Sequence, residues 1–473
     1  MADVVLVLDC GATNLRAIAV SAAGRILAAH AAANAAAPDP VLASGRIWDH
    51  ERIWRDFAAC SRAVAAAVGA DRIGAVTVTT FGVDGTLVDR AGAPLHPVIA
   101  WQCERTAALV EEVAARVPAL YRRCGVQAYP FNTIYKLAWL RRHRPAAVAG
   151  AHAWLFVSNL FQHRMTGAFA TDATMAGTSM LTDLETRTFS PETLAALDLD
   201  PALFPAPVEA GTVVGELLPA AAAELGLVAG LPVVSAGHDT QFALYGSGAD
   251  EHEPVLSSGT WEILMVRARR IVPTESLERQ GVTVELDAEP GLRDPGAMWL
   301  GSGLVEWLRR LAFSDCAGDE AYQAMITEGS AAGPGGGGLR LAGDLLANRG
   351  TLAGVSLGTS RGQVARALFE HLAYRTRAAL TLLEDACGFA APSLLCVGGG
   401  SKNRLWNQIR ADVLGRPVRL LEHKETTALG AACFAMPVLG AHRDARAARA
   451  AAGISPIRLE PGPEAAFYLQ HTP

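Results

Sequence analysis

Short apolar runs bounded by turn residues recur along the chain. Near the start, residues 4–8 (VVLVL) and 15–20 (LRAIAV) flank a turn that contains glycine. Short apolar runs separated by such a turn predict a β-hairpin. Residues 254–257 and 261–266 repeat the arrangement around a Ser-Gly-Thr turn and predict a second hairpin.

Each predicted hairpin is followed by helical segments and then by an apolar strand that ends in glycine. Residues 73–80 form that strand in the first half, and residues 394–397 form it in the second. The repeated order predicts an α/β protein built from two diverged copies of one unit. We expect the boundary between domains 1–247 and 248–473, because the small residues at 246–248 suit a hinge. A cleft between two such domains is a favoured ligand site.

Composition limits the partners of the chain. Its 473 residues are 51% hydrophobic and 19% charged, which allows sizeable cores, and the formal net charge is −6. No basic run argues for nucleic acid or an anionic membrane as a partner. The eight cysteines are scattered without a C-x-x-C pair, which predicts reduced thiols. Since no signal-peptide pattern and no long apolar window occurs, we expect a soluble, cytoplasmic protein.

The turn of the first hairpin, residues 9–14, combines an acid, a glycine and hydroxyl or amide side chains. A glycine lets successive backbone amides approach a phosphate, and a threonine hydroxyl can donate to it as well. The acid cannot bind phosphate, but it can hold Mg²⁺ through water. An ordinary hairpin turn is at least as compatible with these residues. The candidates are Asp9 for Mg²⁺ and Gly11, Ala12, Thr13, Asn14 and Arg16 for phosphate.

Two loops of the second half carry similar chemistry. The turn of the second hairpin contains Gly259 and Thr260, which can bind phosphate, although a plain hairpin turn explains them too. Residues 398–403 leave a strand and enter a helix predicted over 405–414. Consecutive glycines before a helix N-terminus favour binding of an anion or of a polar base edge. The candidate nucleotide-binding residues of this loop are Gly399, Gly400 and Asn403.

The stretch SAGHDTQ, residues 235–241, places polar side chains where an apolar strand gives way to a helix. Such side chains are costly to bury without partners. Asp239 is either the N-cap of the helix or a general base that faces a ligand. A polyol explains the whole run, because His238 and Gln241 can then bind its hydroxyls.

A matching polar set follows the strand at 73–80. Asp84 comes soon after the strand ends, and Trp101 and Arg105 follow further along. An acid, an indole face and a guanidinium suit a sugar-binding site. The alternatives are a core position for Trp101 and a solvated helix start for Arg105.

Residues 333–338 fit the pattern G-x-G-x-x-G, but no predicted strand precedes them and Pro334 interrupts them. The pattern therefore lacks the context of a dinucleotide site, and a flexible loop is predicted. A nicotinamide-dependent oxidoreductase would need that motif, which occurs nowhere else in a strand-to-helix setting. No G-x-x-x-x-G-K-[ST] occurs, so a P-loop is excluded.

Two long patterns carry a family resemblance. Residues 131–140 (FNTIYKLAWL) resemble the first signature of the FGGY carbohydrate kinases, which contains K-L-x-W-L. Residues 350–355, followed by residues 363–370, resemble the second signature. The resemblance extends over residues 4–436. Cys103 stands where many members of the family carry an acid.

The resemblance implies two actin-like or RNase H-like (ASKHA) domains with ATP and sugar in the interdomain cleft. It implies that domain 1–247 binds the sugar and carries the base and that domain 248–473 binds the nucleotide. It also implies phosphoryl transfer from ATP, with Mg²⁺, to the C1 hydroxyl of a ketose. The most similar stretches point to L-fuculose, and L-rhamnulose or another ketose stays open. By the resemblance, Asp239 is the base, and Asp9 and Thr13 serve Mg²⁺ and the phosphates. The resemblance also places Thr260, Gly399 and Gly400 near the nucleotide. Gly82, His238 and Thr240 would surround the sugar.

One rival belongs to another functional class: an ATP-driven binding protein with the same two-lobed fold that holds a polypeptide. It would need an additional module for the polypeptide, and two lobes already account for the 473 residues. Turnover of ATP without sugar would identify this rival. Assembly into a homo-oligomer stays open.

Overall fold

The computed structural model describes residues 2–346, 348–421 and 425–471. They fall into two compact units. The first unit draws on Met1–Gly248, Val272–Asp294 and Glu425–Ile454, and the rest of the chain supplies the second. The chain thus passes between the units at more places than the single boundary that the sequence predicts. The reason is that residues 425–454 contribute buried apolar side chains to a core of the first unit.

A mixed sheet forms the centre of the first unit. The predicted hairpin is confirmed: Val4–Cys10 is antiparallel to Asn14–Ser21, and it is also parallel to Ile73–Thr80. Every residue of Val4–Cys10 is buried, as expected for a strand inside a sheet that is covered on both faces. In spatial order the strands are Val213–Glu216, Pro232–Val234, Ile73–Thr80, Val4–Cys10, Asn14–Ser21 and Ile26–Ala33.

Alternation along the central strand distributes its side chains between two cores. Val4, Leu6 and Leu8 contribute to a core that includes residues of helix His50–Val68. Val7 contributes to the core on the other face, with residues of helices Asp239–Gly246 and Thr426–Ala435. The strand is therefore apolar from Val4 to Leu8, because both of its faces need apolar side chains.

The two helices on this second face touch each other backbone to backbone. A Cβ atom at Gly246 would collide with the carbonyl oxygen of Thr426, and a Cβ atom at Gly430 would collide with that of Phe242. Only glycine permits an approach this close. Gly246 therefore serves helix packing inside the first unit rather than a hinge.

Shorter elements of the first unit surround a separate apolar core. Gly85–Val88 is antiparallel to Ala153–Phe156, and helix Thr133–His143 carries most of the first signature. Further strands are Ala37–Pro38, Arg46–Trp48, Val98–Ile99, Thr171–Asp172, Thr182–Asp183, Thr188–Phe189, Pro207–Val208 and Val282–Leu286. Further helices are Val110–Arg116, Leu120–Cys124, Pro145–Ala149, Val157–Thr166, Ala173–Gly177, Pro191–Ala196, Pro219–Leu225, Glu275–Arg279 and Ala445–Ala451.

The second unit repeats the central plan of the first. Val255–Ser258 is antiparallel to Trp261–Met265 and parallel to Leu394–Val397, which confirms two related α/β units. Its sheet runs through Arg293–Leu300, Trp261–Met265, Val255–Ser258, Leu394–Val397, Val418–Leu420 and Ile457–Leu459. Arg340–Asp344 and Arg349–Ala353 form a separate hairpin. Helices of this unit are Ser302–Ala312, Asp319–Ala331, Arg361–Cys387, Arg404–Leu414 and Ala465–Gln470.

The glycine-rich segment at residues 333–338 forms a 3₁₀ turn, Pro334–Gly338, that follows helix Asp319–Ala331. Because a helix and not a strand precedes the segment, the context of a dinucleotide site is absent there. Gly335, Gly336 and Gly337 have positive φ angles, which only glycine adopts readily.

The cysteines are unpaired, as the sequence predicts. All eight are free thiols, and six of them are buried. Among the described residues, we find no helix with the length and apolarity needed to cross a lipid bilayer.

We predict that Gly430→Ala destabilises the first unit. The added methyl group would collide with a helix backbone that cannot move aside, and overpacking of this kind costs about 1–3 kcal/mol. Chemical denaturation should show a lower free energy of unfolding. Gly150→Ala is the matched control, because an added Cβ there lies 3.4 Å from its nearest neighbour, an ordinary contact. Equal stability of the two variants would contradict the packing argument.

Candidate active site

Asp239 lies where strand Pro232–Val234 leads through a short loop into helix Asp239–Gly246. It is the first residue of the helix, and the N-cap position belongs to His238, whose side chain makes no capping hydrogen bond. The N-cap interpretation of Asp239 is therefore wrong. Its side chain is 26% exposed, so the carboxylate is accessible to a ligand.

The surroundings of Asp239 favour a proton acceptor. Burial raises the pKa of Asp239 above its usual value, while His238 and a hydrogen bond from Thr240 oppose the rise. Thr240 Oγ1 donates to Asp239 Oδ1 across 3.3 Å. A carboxylate with a raised pKa accepts a proton more readily than an ordinary aspartate does, which is what a general base requires.

The loop that precedes the helix is fixed by other segments of the first unit. Thr79 Oγ1 donates to the carbonyl oxygen of Gly237 across 2.8 Å, and the His238 amide donates to Thr174 Oγ1 across 2.9 Å. A Cβ atom at Gly237 would collide with the Asp172 carboxylate. The backbone that presents the polar side chains is therefore held from beneath.

His238 lies between two carboxylates. Its Nδ1 is 3.5 Å from Glu285 Oε2, and its Nε2 is 3.5 Å from Asp239 Oδ1. Gln241 Nε2 donates to the same oxygen of Glu285. Burial acts to lower the pKa of His238, but the Glu285 carboxylate outweighs burial, so the pKa is raised. The protonated imidazole is thus favoured.

Sequence reasoning missed Glu285. It belongs to strand Val282–Leu286, whose alternate residues Val282, Val284 and Leu286 are buried. An acid in such an alternating strand is a weak signal by itself, because polar residues normally occupy the outer face of a strand. Its contact with Gln241 spans 44 residues of sequence, so no local pattern could show it.

Gly82 packs directly against the His238 ring. A Cβ atom at Gly82 would lie 2.9 Å from the imidazole, which accounts for glycine at this position. The next residue, Val83, has a φ angle of 62°, and its amide donates to Thr178 Oγ1 across 3.1 Å. Of the predicted sugar-site residues, the structure thus brings together Gly82, His238, Asp239, Thr240 and Gln241.

Asp84 is enclosed by protein groups, whereas the sequence predicts that it is open to a sugar. The residue is fully buried, and its carboxylate accepts hydrogen bonds from Lys136 Nζ, Trp48 Nε1 and the amide of Trp101. A buried carboxylate needs such partners to be stable. Lys136, the lysine of the first signature, is therefore the counter-ion of Asp84, and Trp101 is held in place by the same acid.

Arg105 also differs from the sequence prediction, and it is neither free for a sugar nor solvated. Its side chain is 3% exposed and pairs with Asp39. The guanidinium lies 4.9 Å from the centre of the Trp139 ring, and Nε donates to Cys103 Sγ across 3.0 Å. Burial, ion pairing and stacking together assign Arg105 to the fold.

The turn of the first hairpin is hydrogen-bonded internally and exposed on its outer side. The Gly11 amide donates to the Asn14 carbonyl across 2.9 Å, and Asn34 Nδ2 donates to the Gly11 carbonyl across 2.8 Å. Thr13 and Asn14 are exposed and Ala12 is partly exposed, so their polar groups are open to a ligand. The turn is thus shaped by internal hydrogen bonds, while its outer surface stays accessible.

Asp9 is buried near the end of strand Val4–Cys10, just before that turn. It is 3% exposed and pairs with Arg16, which also pairs with Glu425. Burial raises the pKa of Asp9 to about 6, against the effect of Arg16. Arg16 is thus committed to two carboxylates, and it neutralises Asp9 instead of adding free positive charge for a phosphate.

The two glycine-containing loops of the second unit meet at Ser258. A Cβ atom at Gly400 would collide with Ser258 Oγ, and one at Gly398 would lie 2.8 Å from the Ser258 carbonyl oxygen. A Cβ atom at Gly399, by contrast, would meet no protein atom within 4 Å. Gly399 is therefore open to a ligand, whereas Gly398 and Gly400 are glycine because the loops touch. Asn403 serves as N-cap, since its side chain accepts from the Trp406 amide across 3.0 Å.

A buried ion pair supports these loops from beneath. Glu262 and Arg410 are both fully buried and paired, and Ser258 Oγ donates to Glu262 across 2.8 Å. The Arg410 guanidinium lies 3.9 Å from the centre of the Trp406 ring. The pair thus links the hairpin that carries Gly259 and Thr260 to the helix that follows the glycines. Sequence reasoning missed this pair.

A metal ion would find few protein ligands. Within the described part of the chain, no group of three or more His, Cys, Asp or Glu residues is arranged to hold one. Mg²⁺ does not need such a group, because it keeps several waters and binds substrate phosphates alongside one or two carboxylates. Asp9, which lies beneath the hairpin turn and is electrostatically coupled to Asp239, fits that requirement.

Two α/β units of one plan, with the Asp239 carboxylate in the first and glycine loops in the second, define the fold class that the sequence predicts. Residues 4–246 match the model of the N-terminal domain of the FGGY family of carbohydrate kinases, and residues 255–437 match that of the C-terminal domain. The chain belongs to this family and is an ATP-dependent carbohydrate kinase. The resemblance carried by the two signatures is thus confirmed.

Curated relatives cover nearly the whole chain. L-fuculokinase of Escherichia coli (strain K12) is 46% identical over 452 residues, which are 95% of each chain. L-fuculokinase of Haemophilus influenzae is 40% identical over 475 residues, 97% of this chain and 99% of the relative. Among solved structures, xylulose kinase from Rhodospirillum rubrum superimposes with a TM-score of 0.89 at 25% identity, over 99% of this chain and 96% of that one.

Proposed function

We propose that the chain transfers the terminal phosphoryl group of ATP to the C1 hydroxyl of L-fuculose, giving L-fuculose 1-phosphate and ADP. The observation that carries the proposal is the partly exposed Asp239 carboxylate beside His238, free of a capping role and with a raised pKa. The choice of sugar is supported by relatives named L-fuculokinase at 40% and 46% identity over nearly the whole chain.

Asp239 accepts the proton of the C1 hydroxyl as that oxygen attacks the terminal phosphorus. His238 and Thr240 bind neighbouring hydroxyls of the sugar, and the ring of His238 is held against Gly82. Gln241 supports them from a buried position through Glu285. Catalysis of phosphoryl transfer depends mainly on such positioning and on electrostatic stabilisation.

The phosphates of ATP are bound by backbone amides and hydroxyls. Thr13 and the exposed turn around it serve one phosphate, and Gly259 with Thr260 serves another. Gly399 lies against the nucleotide, since nothing in the protein fills the space beside its Cα. Asp9 would hold Mg²⁺ through water, and the bound ion would neutralise charge on the phosphates.

A kinase for L-rhamnulose or another ketose is the second candidate. Sugars that differ at one hydroxyl are separated by single hydrogen bonds, and the polar groups around Asp239 fit more than one ketose. Unpaired buried thiols are typical of proteins that work in a reducing compartment, and we propose the cytoplasm.

A coupled ADP-release assay tests the substrate. The panel comprises L-fuculose, L-rhamnulose, L-xylulose, D-xylulose, D-ribulose and glycerol. We expect the highest kcat/KM with L-fuculose and no turnover of ATP without sugar. A higher kcat/KM with L-rhamnulose would favour the second candidate. Sugar-independent turnover would contradict a sugar kinase and indicate the polypeptide-binding class.

Asp239→Asn should lower kcat at least about a hundredfold, because an amide cannot accept the proton. Steady-state kinetics with L-fuculose and ATP measure this effect, and calorimetry should show that the variant still binds the sugar. Asp56→Asn is the matched control: Asp56 forms a partly exposed i,i+4 pair with Arg52 on helix His50–Val68, and pairs of this kind contribute little to stability. Near-normal turnover of Asp239→Asn would remove Asp239 from the role of base.

Gly399→Ala should raise the KM for ATP while the KM for the sugar and the melting temperature stay close to those of the wild type. The added methyl group meets no protein atom within 4 Å, so only a bound nucleotide can collide with it. We expect a rise in the KM for ATP of about tenfold, the effect of roughly 1.4 kcal/mol of lost binding. An unchanged KM for ATP would show that the nucleotide lies elsewhere.

A further inference from the structure

We propose that Glu285 positions His238 for binding of the ketose and thereby contributes to the choice of sugar. The inference rests on the proposed function, since it concerns how the same site recognises its substrate. Glu285 does not itself take the proton or contact the phosphates. It acts on the sugar through the imidazole of His238, while buried Gln241 helps to hold the Glu285 carboxylate in place.

The contacts of Glu285 converge on one oxygen. Its Oε2 accepts a hydrogen bond from Gln241 Nε2 and faces His238 Nδ1 at 3.5 Å. The side chains of Glu285 and His238 are only 16% and 14% exposed, so both interactions are largely shielded from water. A charge interaction in such a place is stronger than one at the surface.

The strand that carries Glu285 is fixed to neighbouring segments of the first unit. The Val284 amide donates to the Gly125 carbonyl across 2.7 Å, and the Tyr121 hydroxyl donates to the Val282 carbonyl across 2.7 Å. These two hydrogen bonds fix the strand just before Glu285, so its carboxylate is presented from a rigid backbone. Side chains that fix a binding group precisely in space are placed on such elements.

Because Glu285 faces Nδ1 of His238, the opposite edge of the imidazole ring, which carries Nε2, is available to the sugar. When Nδ1 faces Glu285, Nε2 points toward Asp239, and the distance of 3.5 Å to Asp239 Oδ1 exceeds that of a good hydrogen bond. A sugar hydroxyl that lies beside the line between these two atoms can contact both. The imidazole would donate to that hydroxyl, and the carboxylate would accept from it.

Charge supports the same arrangement. Burial lowers the pKa of His238, but the negative charges of Glu285 and Asp239 together raise it, which favours the imidazolium form that can donate from both nitrogens. Without Glu285, no carboxylate would face Nδ1 at 3.5 Å, and Gln241 Nε2 would lose its acceptor. Both residues would then be free to turn away from the sugar.

The test is Glu285→Gln, which keeps the size of the side chain and removes its charge. We expect the KM for L-fuculose to rise by at least about tenfold, because the shielded negative charge that faces His238 Nδ1 is lost. The KM for ATP should change by less than about twofold. Glu285→Asp keeps the charge, and its KM for L-fuculose should lie between those of the wild type and Glu285→Gln. Glu278→Gln, at an exposed glutamate on the preceding helix, is the matched control.

A double-variant cycle separates positioning from general destabilisation. In a His238→Asn background, Glu285→Gln should change the KM for L-fuculose by less than about twofold, because the residue through which it acts is gone. The kcat/KM ratio of L-fuculose to L-rhamnulose should fall in Glu285→Gln. Fully additive effects, or an equal rise in the KM for ATP, would overturn the inference.

The outcomes also distinguish this inference from the proposed function. A wild-type enzyme that shows no ketose-dependent release of ADP would contradict both. A wild type that is active on L-fuculose, together with a Glu285→Gln variant of unchanged KM and sugar preference, would contradict the positioning role alone. If the melting temperature of Glu285→Gln is much lower than that of the wild type, the test uses Glu285→Asp instead. Its KM for L-fuculose and its sugar preference then support or contradict the positioning role.

Discussion

The close contact between two helices of the first unit determines where the candidate base lies. Gly246 and Gly430 let the backbones of these helices touch, so the helix that starts at Asp239 is held firmly against the helix that follows Glu425. Because Asp239 is the first residue of its helix, any change of helix position would move the carboxylate. The same packing keeps Glu425 within reach of Arg16, which neutralises Asp9.

Buried ion pairs hold the functional loops in both units. Lys136 and Asp84 support Trp101 in the first unit, and Arg410 with Glu262 supports the hairpin and glycine loops in the second. Buried pairs of this kind contribute little net stability, because desolvation opposes the attraction between the charges. Their geometric requirements are strict, however, since each oxygen needs a donor. They therefore fix geometry at the base of the loops, while the exposed residues above them stay free for ligands.

Local periodicity made the framework predictable, and long-range contacts limited the prediction of the site. Strands such as Ile73–Thr80 and Leu394–Val397 were predicted at their observed bounds, because an apolar run with a glycine end is a local signal. The candidate base was found for the same reason. Arg105 and Glu285 were not assigned correctly, since their roles depend on partners distant in the sequence, Asp39 and Gln241.

The polar run at 235–241 is tolerated because its side chains divide between support and ligand binding. Ser235 and Gln241 are fully buried, and their hydrogen bonds go to Asp172 and Glu285. His238 and Asp239 remain partly exposed, and His238 Nε2 lies 3.5 Å from Asp239 Oδ1. A hydroxyl that enters meets a donor and an acceptor side by side. In the proposed function this pairing would orient a polyol, and the imidazole of His238 opposes the rise in the pKa of Asp239 that burial causes, which favours the ionised carboxylate that a base requires.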